Sequence, residues 1–406
     1  GERKMKKIIA SAVGLMLVGG VAVTTAQAVE SQFGGYWRTR FVYSDNLRAT
    51  EAATSNNEQR NESDSWYRTD TRTRLYYTAV FNDDLKFVNK FEFNTTWGSG
   101  DGGGIGADGR EDWRIKNSYV DFQLGMLNSK VGIQGGTIAR GFIFADDFSG
   151  IVERIDLANG VKIPFGYMAV ENDGSQITDN GDQNMYFIAP IIPISDMITL
   201  NPHGTLFYET GNDTSVYWAG LDADLTFDSF SAWTSLIYNG GEINNNDVSG
   251  YLVAAGAEAG IVHGQAFYAT GDKSDREQRN EGDIDAFISA PGASYYWSEI
   301  MGLGTFDQSA SSGSPGDKIS NIAAFNVGVT LMPMDKMTLT LDAWYAFKDR
   351  DNADGEDVLG VELDGKLSYK LMDNLNADVI AAYLIADDAT GDDDIFEGGL
   401  QLSLKF

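Results

Sequence analysis

Arginine residues recur at alternate positions in two early segments of the chain, and one acidic residue stands within the second series. Successive side chains of a β-strand point to opposite faces, so each series would stand on one face of its strand. Guanidinium groups at that spacing repel one another unless carboxylates or solutes lie between them. A water-filled passage could hold such charges, because they stay hydrated there. The residues are Arg38 and Arg40, then Arg68, Asp70, Arg72 and Arg74.

Carboxylates take the equivalent positions in later segments of the chain. Together the two sets predict a passage with one basic wall and a largely acidic remainder. A transverse field of this kind would orient solutes and disfavour apolar ones. The alternative is a mutually neutralised network that only holds the strands in place. The acidic positions are Asp222, Asp224, Asp342, Glu362, Asp364 and Asp378.

The segment 139–150 is too apolar for an exposed loop, since it holds three phenylalanines and an isoleucine. Folding into the passage would bury them, and we therefore predict an inward constriction loop at about 139–150. Asp146 and Asp147 would then face the arginine wall, and Arg140 would lie beside them. The alternative is that this segment packs at a subunit interface.

The element that positions these charges is a β-strand of about ten residues, repeated along the chain. Apolar residues alternate with polar ones from Leu400 to Phe406 and from Met337 to Lys348. Short turns alternate with longer connections, which predicts eighteen antiparallel strands closed into a transmembrane β-barrel, with sixteen as the alternative. A soluble β-sandwich would also alternate, but it does not explain the aromatic residues near many strand ends. These include Trp37, Tyr43, Trp97, Trp113, Tyr238 and Tyr383.

Composition narrows the classes of function. The chain has no cysteine, which excludes disulfides, thiolate metal sites and covalent haem attachment. The formal net charge of −29 argues against a nucleic-acid partner. It suits solvated loops at a cell surface, which divalent cations could bridge to lipopolysaccharide. We expect neither a cofactor nor a metal site.

The two ends of the chain indicate its destination. Lys6 and Lys7 precede an apolar run from Ile8 to Val23, and small residues follow up to Ala28. This is the pattern of a secretory signal peptide, so residues 1–28 are expected to be a removed leader and signal peptide. Residues 29–406 would then form a single barrel domain, in which 271–318 is a long extracellular loop. Nothing after residue 28 is apolar for long enough to be a membrane-spanning helix.

The last strand, which ends on Phe406, resembles the carboxyl-terminal strand of Gram-negative outer-membrane proteins. In those proteins a final aromatic residue is the signal read by the barrel-assembly machinery. The predicted inward loop resembles the third extracellular loop of outer-membrane porins, which presents acidic residues to a basic cluster. The resemblance implies a homotrimer in the outer membrane that passes small hydrophilic solutes passively. Its constriction would comprise Arg38, Arg40, Arg68, Arg72, Arg74, Arg140, Asp146 and Asp147.

Two other functions remain open at this point. The arginine series also resembles that of channels selective for organic anions or acidic sugars. A structural barrel around a periplasmic electron carrier is the second alternative, and it would need a separate haem protein. An enzyme is not expected, because His203 and His263 have no recognisable nucleophile near them in the sequence. The acidic stretch 349–357 fails the spacing of a calcium loop and is interpreted as solvated.

Overall fold

A computed structural model shows the chain as one closed antiparallel β-barrel. The predicted leader at 1–28 lies outside the described residues. No helix in the described part of the chain could cross a membrane. The described residues are 29–47, 65–99, 103–105, 112–171, 181–210, 214–272, 282–306, 315–316, 318–351, 355–391 and 393–406.

Eighteen strand positions make up the wall, since β8 and β9 both pair with β10 and form one interrupted strand. Consecutive strands pair along the chain, and β1 pairs with β19 to close the ring. The predicted count of eighteen is therefore confirmed, and the alternative of sixteen is wrong. The strands are β1 (Glu30–Asp45), β2 (Trp66–Asn82), β3 (Leu85–Thr96), β4 (Asp112–Leu124), β5 (Leu127–Ile138), β6 (Phe144–Asp156), β7 (Lys162–Glu171), β8 (Gln183–Ile188), β9 (Ile192–Ser195), β10 (Ile198–Glu209), β11 (Thr214–Thr226), β12 (Phe230–Ile243), β13 (Asn246–Ala259), β14 (Val262–Ala269), β15 (Ile322–Met334), β16 (Met337–Phe347), β17 (Val358–Met372), β18 (Leu375–Ala386) and β19 (Ile395–Lys405).

Period-two alternation sets the two faces of the wall. On β17 the apolar Val361 and Leu363 are exposed on the outer surface, whereas Glu362 between them is fully buried inside. An apolar outer face is what a barrel in lipid requires, because its strand edges are all paired and its side chains meet hydrocarbon. Exposed aromatic side chains also lie on this surface near one end of the barrel: Tyr43, Trp97, Trp113, Tyr238 and Tyr383.

The two ends of the barrel differ, and we name them by their connections. The turn end holds the short connections, such as 83–84 and 373–374, together with both termini of the barrel. There the backbone of Phe406 exchanges two hydrogen bonds with Gly35, at 2.7 and 3.1 Å. A Cβ atom on Gly35 would lie 2.4 Å from the Phe406 ring, so this close approach requires glycine.

The opposite end, the loop end, holds the longer connections, but three connections there are short: 139–143, 210–213 and 244–245. Strands β12 and β13 continue to a two-residue turn, Asn244–Asn245, whose φ angles are 52° and 64°. Two central residues in the left-handed region define the type I′ turn that suits a twisted hairpin, and asparagine tolerates that region. The expectation of a long loop at every loop-end connection is therefore wrong for this hairpin.

The predicted inward loop at 139–150 agrees with the structure only for its first part. The connection 139–143, which contains the short 3₁₀ helix Ala139–Gly141, lies in the lumen with Phe142 and Ile143 buried. The second part of the prediction is wrong, because Phe144–Asp156 form strand β6 in the wall. A longer segment, 282–306, also folds into the barrel; it belongs to the connection 271–318, which was expected outside. Residues 273–281, 307–314 and 317 of that connection lie outside the described residues. We call residues 282–306 the inward segment.

Candidate functional site in the barrel lumen

The arginine series lies on the inner face of β1 and β2, as the alternation predicts. The register places Arg38 opposite Arg72 and Arg40 opposite Asp70. Arg40 and Asp70 form a buried ion pair at 2.8 Å, with the Arg40 side chain only 2% exposed. A buried, multiply hydrogen-bonded pair of this kind fixes both side chains in one position.

Strand β3 supplies the carboxylate for the next two arginines. Glu92 accepts a hydrogen bond from Arg74 at 2.7 Å and lies 3.5 Å from Arg72. Arg72 also donates to the Asn94 side chain at 2.6 Å. Asp70 and Glu92 thus lie between these arginines and reduce their repulsion.

Arg140 lies elsewhere in the lumen, away from the other predicted arginines. It sits in the 3₁₀ helix with φ of 57°, in the left-handed region. Its guanidinium forms an ion pair with Asp224 on β11 and stacks over the Trp233 ring at 4.7 Å. The structure thus ties Arg140 to the acidic wall and not to the arginine series.

The two predicted constriction carboxylates stand on opposite faces of β6. Asp146 shares the inner face with Phe144 and is exposed within the lumen. Asp147 shares the outer face with the exposed Ile151, and its carboxylate pairs with Lys116 of β4 at 2.5 Å. Only Asp146 can contribute charge to the passage directly.

The inward segment is fastened to the lumen wall by backbone hydrogen bonds. Its strongest anchor is the buried Glu362 of β17, which accepts the backbone N–H groups of Ile300 at 2.6 Å and Met301 at 2.8 Å. On the far side, the Trp218 indole of β11 donates to the carbonyl of Ile288 at 2.8 Å. Buried backbone groups need such partners, because an unpaired one carries the full cost of lost hydration.

Aromatic packing joins the inward segment to the wall in the loop-end half. The Trp297 ring lies 5.1 Å from Trp344 and 5.2 Å from Phe267, both in edge-to-face geometry. The Tyr295 ring stacks on Phe142 at 3.8 Å. These contacts belong to one apolar cluster in the loop-end part of the lumen. Close ring packing of this kind leaves no space for water between the segment and the strands that it contacts.

The inward segment also meets the arginine series. Arg40 donates to the carbonyl of Thr305 at 3.2 Å, so one side chain joins the ion pair to the segment. Thr305 in turn donates to Glu299 through its backbone N–H at 2.5 Å and its hydroxyl at 2.9 Å. Burial raises the pKa of Glu299, although the hydrogen bonds from Thr305 act in the opposite direction.

A cavity of about 370 Å³ lies where the inward segment meets the wall. Its lining combines charged groups of both signs with aromatic rings. Residues of the segment form one side, and inner-face residues of β1, β16 and β17 form the other. They include Arg38, Tyr296, Glu299, Asp342, Asp364 and Lys366.

Sequence reasoning missed the inward segment although a signal was present. Phe287, Trp297, Ile300 and Phe306 are all buried, and they stand in a stretch that also contains many serines and glycines. The criterion applied to 139–150, apolar residues in a connection, holds equally for this stretch.

The histidines, by contrast, pair with acids of the wall: His263 bonds Asp342 at 2.8 Å.

No family model matches the chain, and no curated protein matches it. Solved structures do match its fold along nearly the whole length. A BenF-like porin from Pseudomonas fluorescens Pf-5 aligns with a TM-score of 0.60 and 13% identity, over 93% of this chain and 98% of that one. The same coverage holds for Pseudomonas aeruginosa OpdK with vanillate, at 0.60 and 11%, and OccK2 (OpdF) with glucuronate, at 0.59 and 10%.

The chain has the fold of these outer-membrane porins. At such identities the likeness concerns the fold alone, so it says nothing about which residues act on a solute. It does agree with the closed eighteen-strand wall described above. The barrel and the resemblance to porins that the sequence predicts are both confirmed.

Proposed function

We propose that this protein is an outer-membrane porin, a channel through which small hydrophilic solutes and ions diffuse. One observation carries the proposal: a closed barrel with an apolar outer face encloses the ion-paired arginine series. Charged side chains on an inner wall need water, and a hydrated lumen through a lipid-facing barrel is a channel. The turn end would face the periplasm and the loop end the outside.

The contacts of the inward segment suggest where solutes pass. Its contacts with the wall fall on β1, β11 to β14, β16 and β17. In contrast, Arg72, Arg74 and Glu92 belong to β2 and β3. We propose that the passage runs along this basic wall, where Asp146 adds the charge opposite.

Selectivity for organic anions is the second candidate function. It is favoured by the arginines that Glu92 only partly neutralises, because two guanidinium groups share one carboxylate there. Guanidinium groups bind carboxylates in a planar, two-point geometry. The structures of two similar proteins contain vanillate and glucuronate, and both of these solutes carry a carboxylate.

Liposome swelling tests the channel, and reversal potentials test the selectivity. The purified protein in lipid vesicles should admit arabinose, whereas empty vesicles should not. Replacing Arg72 and Arg74 by Gln should shift the reversal potential of a KCl gradient towards cations. Vesicles that stay impermeable to arabinose would contradict the porin, and an unchanged potential would contradict the passage along the basic wall.

The partners predicted from the sequence remain part of this proposal. Phe406 would be the signal for the assembly machinery, and lipopolysaccharide would surround the loop end. Self-association is supported by the outer face of β4 to β6, where the Lys116–Asp147 pair and Glu153 interrupt the apolar surface. Charge facing lipid is costly, and a second protomer would cover it. Native mass spectrometry should show a trimer, and a monomer would contradict this part.

A further inference from the structure

Three buried polar side chains meet on the inner face of β10, β11 and β12. His203 stands on β10 and Asp222 on β11, with side chains only 2% and 8% exposed. The fully buried Ser235 of β12 lies opposite Asp222 in the register. Nε2 of His203 lies 3.7 Å from Oδ1 of Asp222. These residues form one compact cluster, which we call the His203 cluster.

Four polar atoms of the His203 cluster have no hydrogen-bond partner within the described part of the chain. They are both ring nitrogens of His203, Oδ1 of Asp222 and the hydroxyl of Ser235. A buried polar atom without a partner carries the full cost of its lost hydration, and a buried carboxylate carries a larger cost. The buried Glu362, by comparison, accepts two backbone hydrogen bonds. The cluster therefore has the unmet demand that points to a ligand.

A glycine places the imidazole against the wall. Gly220 of β11 lies opposite His203 in the register. A Cβ atom on Gly220 would lie 2.3 Å from Cε1 of His203 and 2.7 Å from Nε2, so the ring occupies the space that any other residue would fill. Asp222 is the next inner-face residue on the same strand. The glycine thus lets Nε2 approach the carboxylate.

The His203 cluster lies where the barrel wall is interrupted. The pairing of β10 with β8 ends at Gly204, and its pairing with β9 ends at Leu200. Residues 201–203 consequently have no ladder partner on that side among the described residues, and Pro202 has no N–H to offer one. A ligand held by His203 and Asp222 would fasten β10 to β11 at this point.

Three kinds of ligand can be compared. A water molecule would leave the charge of Asp222 without a counter-charge, since Arg140 on this wall is already paired with Asp224. A proton on His203 would supply that charge, but 3.7 Å is too long for a hydrogen bond. A divalent metal ion meets both demands, because imidazole and carboxylate are both metal ligands. Two ligands at about 2.1 Å from a tetrahedral zinc ion lie about 3.4 Å apart, close to the observed separation.

We propose that His203 and Asp222 bind a divalent transition-metal ion such as Zn²⁺. The hydroxyl of Ser235 and water complete its coordination, since no three histidine, cysteine or acidic side chains of the described residues form a metal-binding group. With only two strong protein ligands, the ion exchanges with the lumen. Sequence reasoning did not anticipate this site, because His203 and Asp222 meet only through the pairing of β10 with β11.

Calorimetric titration of the detergent-solubilised protein, after dialysis against a chelator, tests the site without any variant. Zn²⁺ should occupy one tight site per chain and bind at least about tenfold more tightly than Mg²⁺, because imidazole suits zinc whereas magnesium prefers oxygen ligands. Absence of zinc binding, or equal affinities for the two ions, would overturn the proposal.

Substitutions then locate the ion. His203→Gln and Asp222→Asn should each weaken Zn²⁺ at least about tenfold, a loss typical even of residues that only support a metal ligand. His263→Gln is the matched control, since His263 is the other histidine of the chain and also contacts an aspartate, Asp342 at 2.8 Å. It should leave zinc affinity unchanged. Tight zinc binding that survives in His203→Gln, or that is lost in His263→Gln, would show the assignment to be wrong.

Thermal stability tests the fastening of the two strands. Zn²⁺ should raise the temperature at which heating changes the migration of the wild-type protein on a gel, because a ligand that binds the folded barrel stabilises it. The Asp222→Asn variant should show no such rise. A wild-type temperature that zinc does not change would contradict the fastening of β10 to β11. Arabinose entry is measured separately, so the porin and the metal site can fail independently.

Discussion

The loop-end and turn-end halves of the lumen are built from the same strands but differ in chemistry. On β11 the inner face changes from Val216 and Trp218, both buried in the apolar cluster, to Asp222 and Asp224 towards the turn end. The inward segment packs on the apolar half, and we propose that water occupies the charged half. The alternation of apolar and polar side chains between the two faces of a strand thus specifies the barrel. The change from apolar to charged side chains along the inner face specifies where the inward segment docks.

The largest expected effect comes from removing a ring in the apolar half. Trp344→Ala should destabilise the barrel by about 3–5 kcal/mol, because a buried indole and its contact with Trp297 are lost. The temperature at which heating changes the migration of the protein on a gel should be lower for this variant. The adjacent Tyr345, 41% exposed on the outer face, is the matched control, and Tyr345→Ala should shift it far less. Equal shifts would contradict the view of the loop-end lumen as a packed core.

The second expected effect concerns the anchor of the inward segment. Glu362→Ala removes the acceptor of two buried N–H groups and should cost about 1.5–3 kcal/mol for each hydrogen bond. Hydrogen exchange at Ile300 and Met301 should accelerate. Glu258→Ala, an exposed carboxylate at the turn end of β13, serves as the control. Unchanged exchange in the Glu362 variant would mean that the apolar contacts alone hold the segment.

A pH dependence of docking follows from Glu299. Burial raises its pKa, so the docked form binds the proton more tightly than the released form. Docking should therefore be strongest below the ordinary pKa of glutamate and should weaken as the pH rises towards the raised value. Hydrogen exchange in the segment should increase over that interval, and Glu299→Gln should flatten the curve. If the pH dependence of hydrogen exchange is the same in Glu299→Gln, a group other than Glu299 causes it.

The smallest expected effect separates the two faces of β6. Asp146→Asn removes a lumen charge and should shift the reversal potential slightly towards anion selectivity. Asp147→Asn breaks a partly exposed pair with Lys116 outside the lumen, worth at most about 1 kcal/mol, and should leave the potential unchanged. If Asp147→Asn shifts the potential as much as Asp146→Asn, the assignment of the two faces is wrong.

Regular wall strands were predictable wherever the outer face is apolar and the inner face polar. The alternation predicted from Met337 to Lys348 agrees with strand β16, Met337–Phe347, and the alternation from Leu400 to Phe406 lies in and just after strand β19. The alternation of an apolar outer face with a polar inner face fails in β6. There the inner positions Phe144 and Phe148 are apolar, and the outer position Asp147 is charged. This inverted pattern looks like a buried loop, because apolar residues there face another protein segment instead of lipid.

The site was less predictable than the fold, for a physical reason. The arginine series and its faces follow from spacing within one strand. The anchor at Glu362 and the contact of Arg40 with Thr305 join residues far apart in sequence. No local periodicity records such contacts, so only the three-dimensional structure relates the inward segment to the wall.

The bonds between Gly35 and Phe406 bear on how the chain folds. They join the first strand to the last residue, which is the largest sequence separation in the wall. Contacts of such high contact order form slowly, because the ends of nearly the entire chain must meet. The inward segment touches β1 through Arg40 as well as β17 through Glu362, on both sides of that seam. Final packing of the segment and closure of the seam are therefore expected to be kinetically coupled.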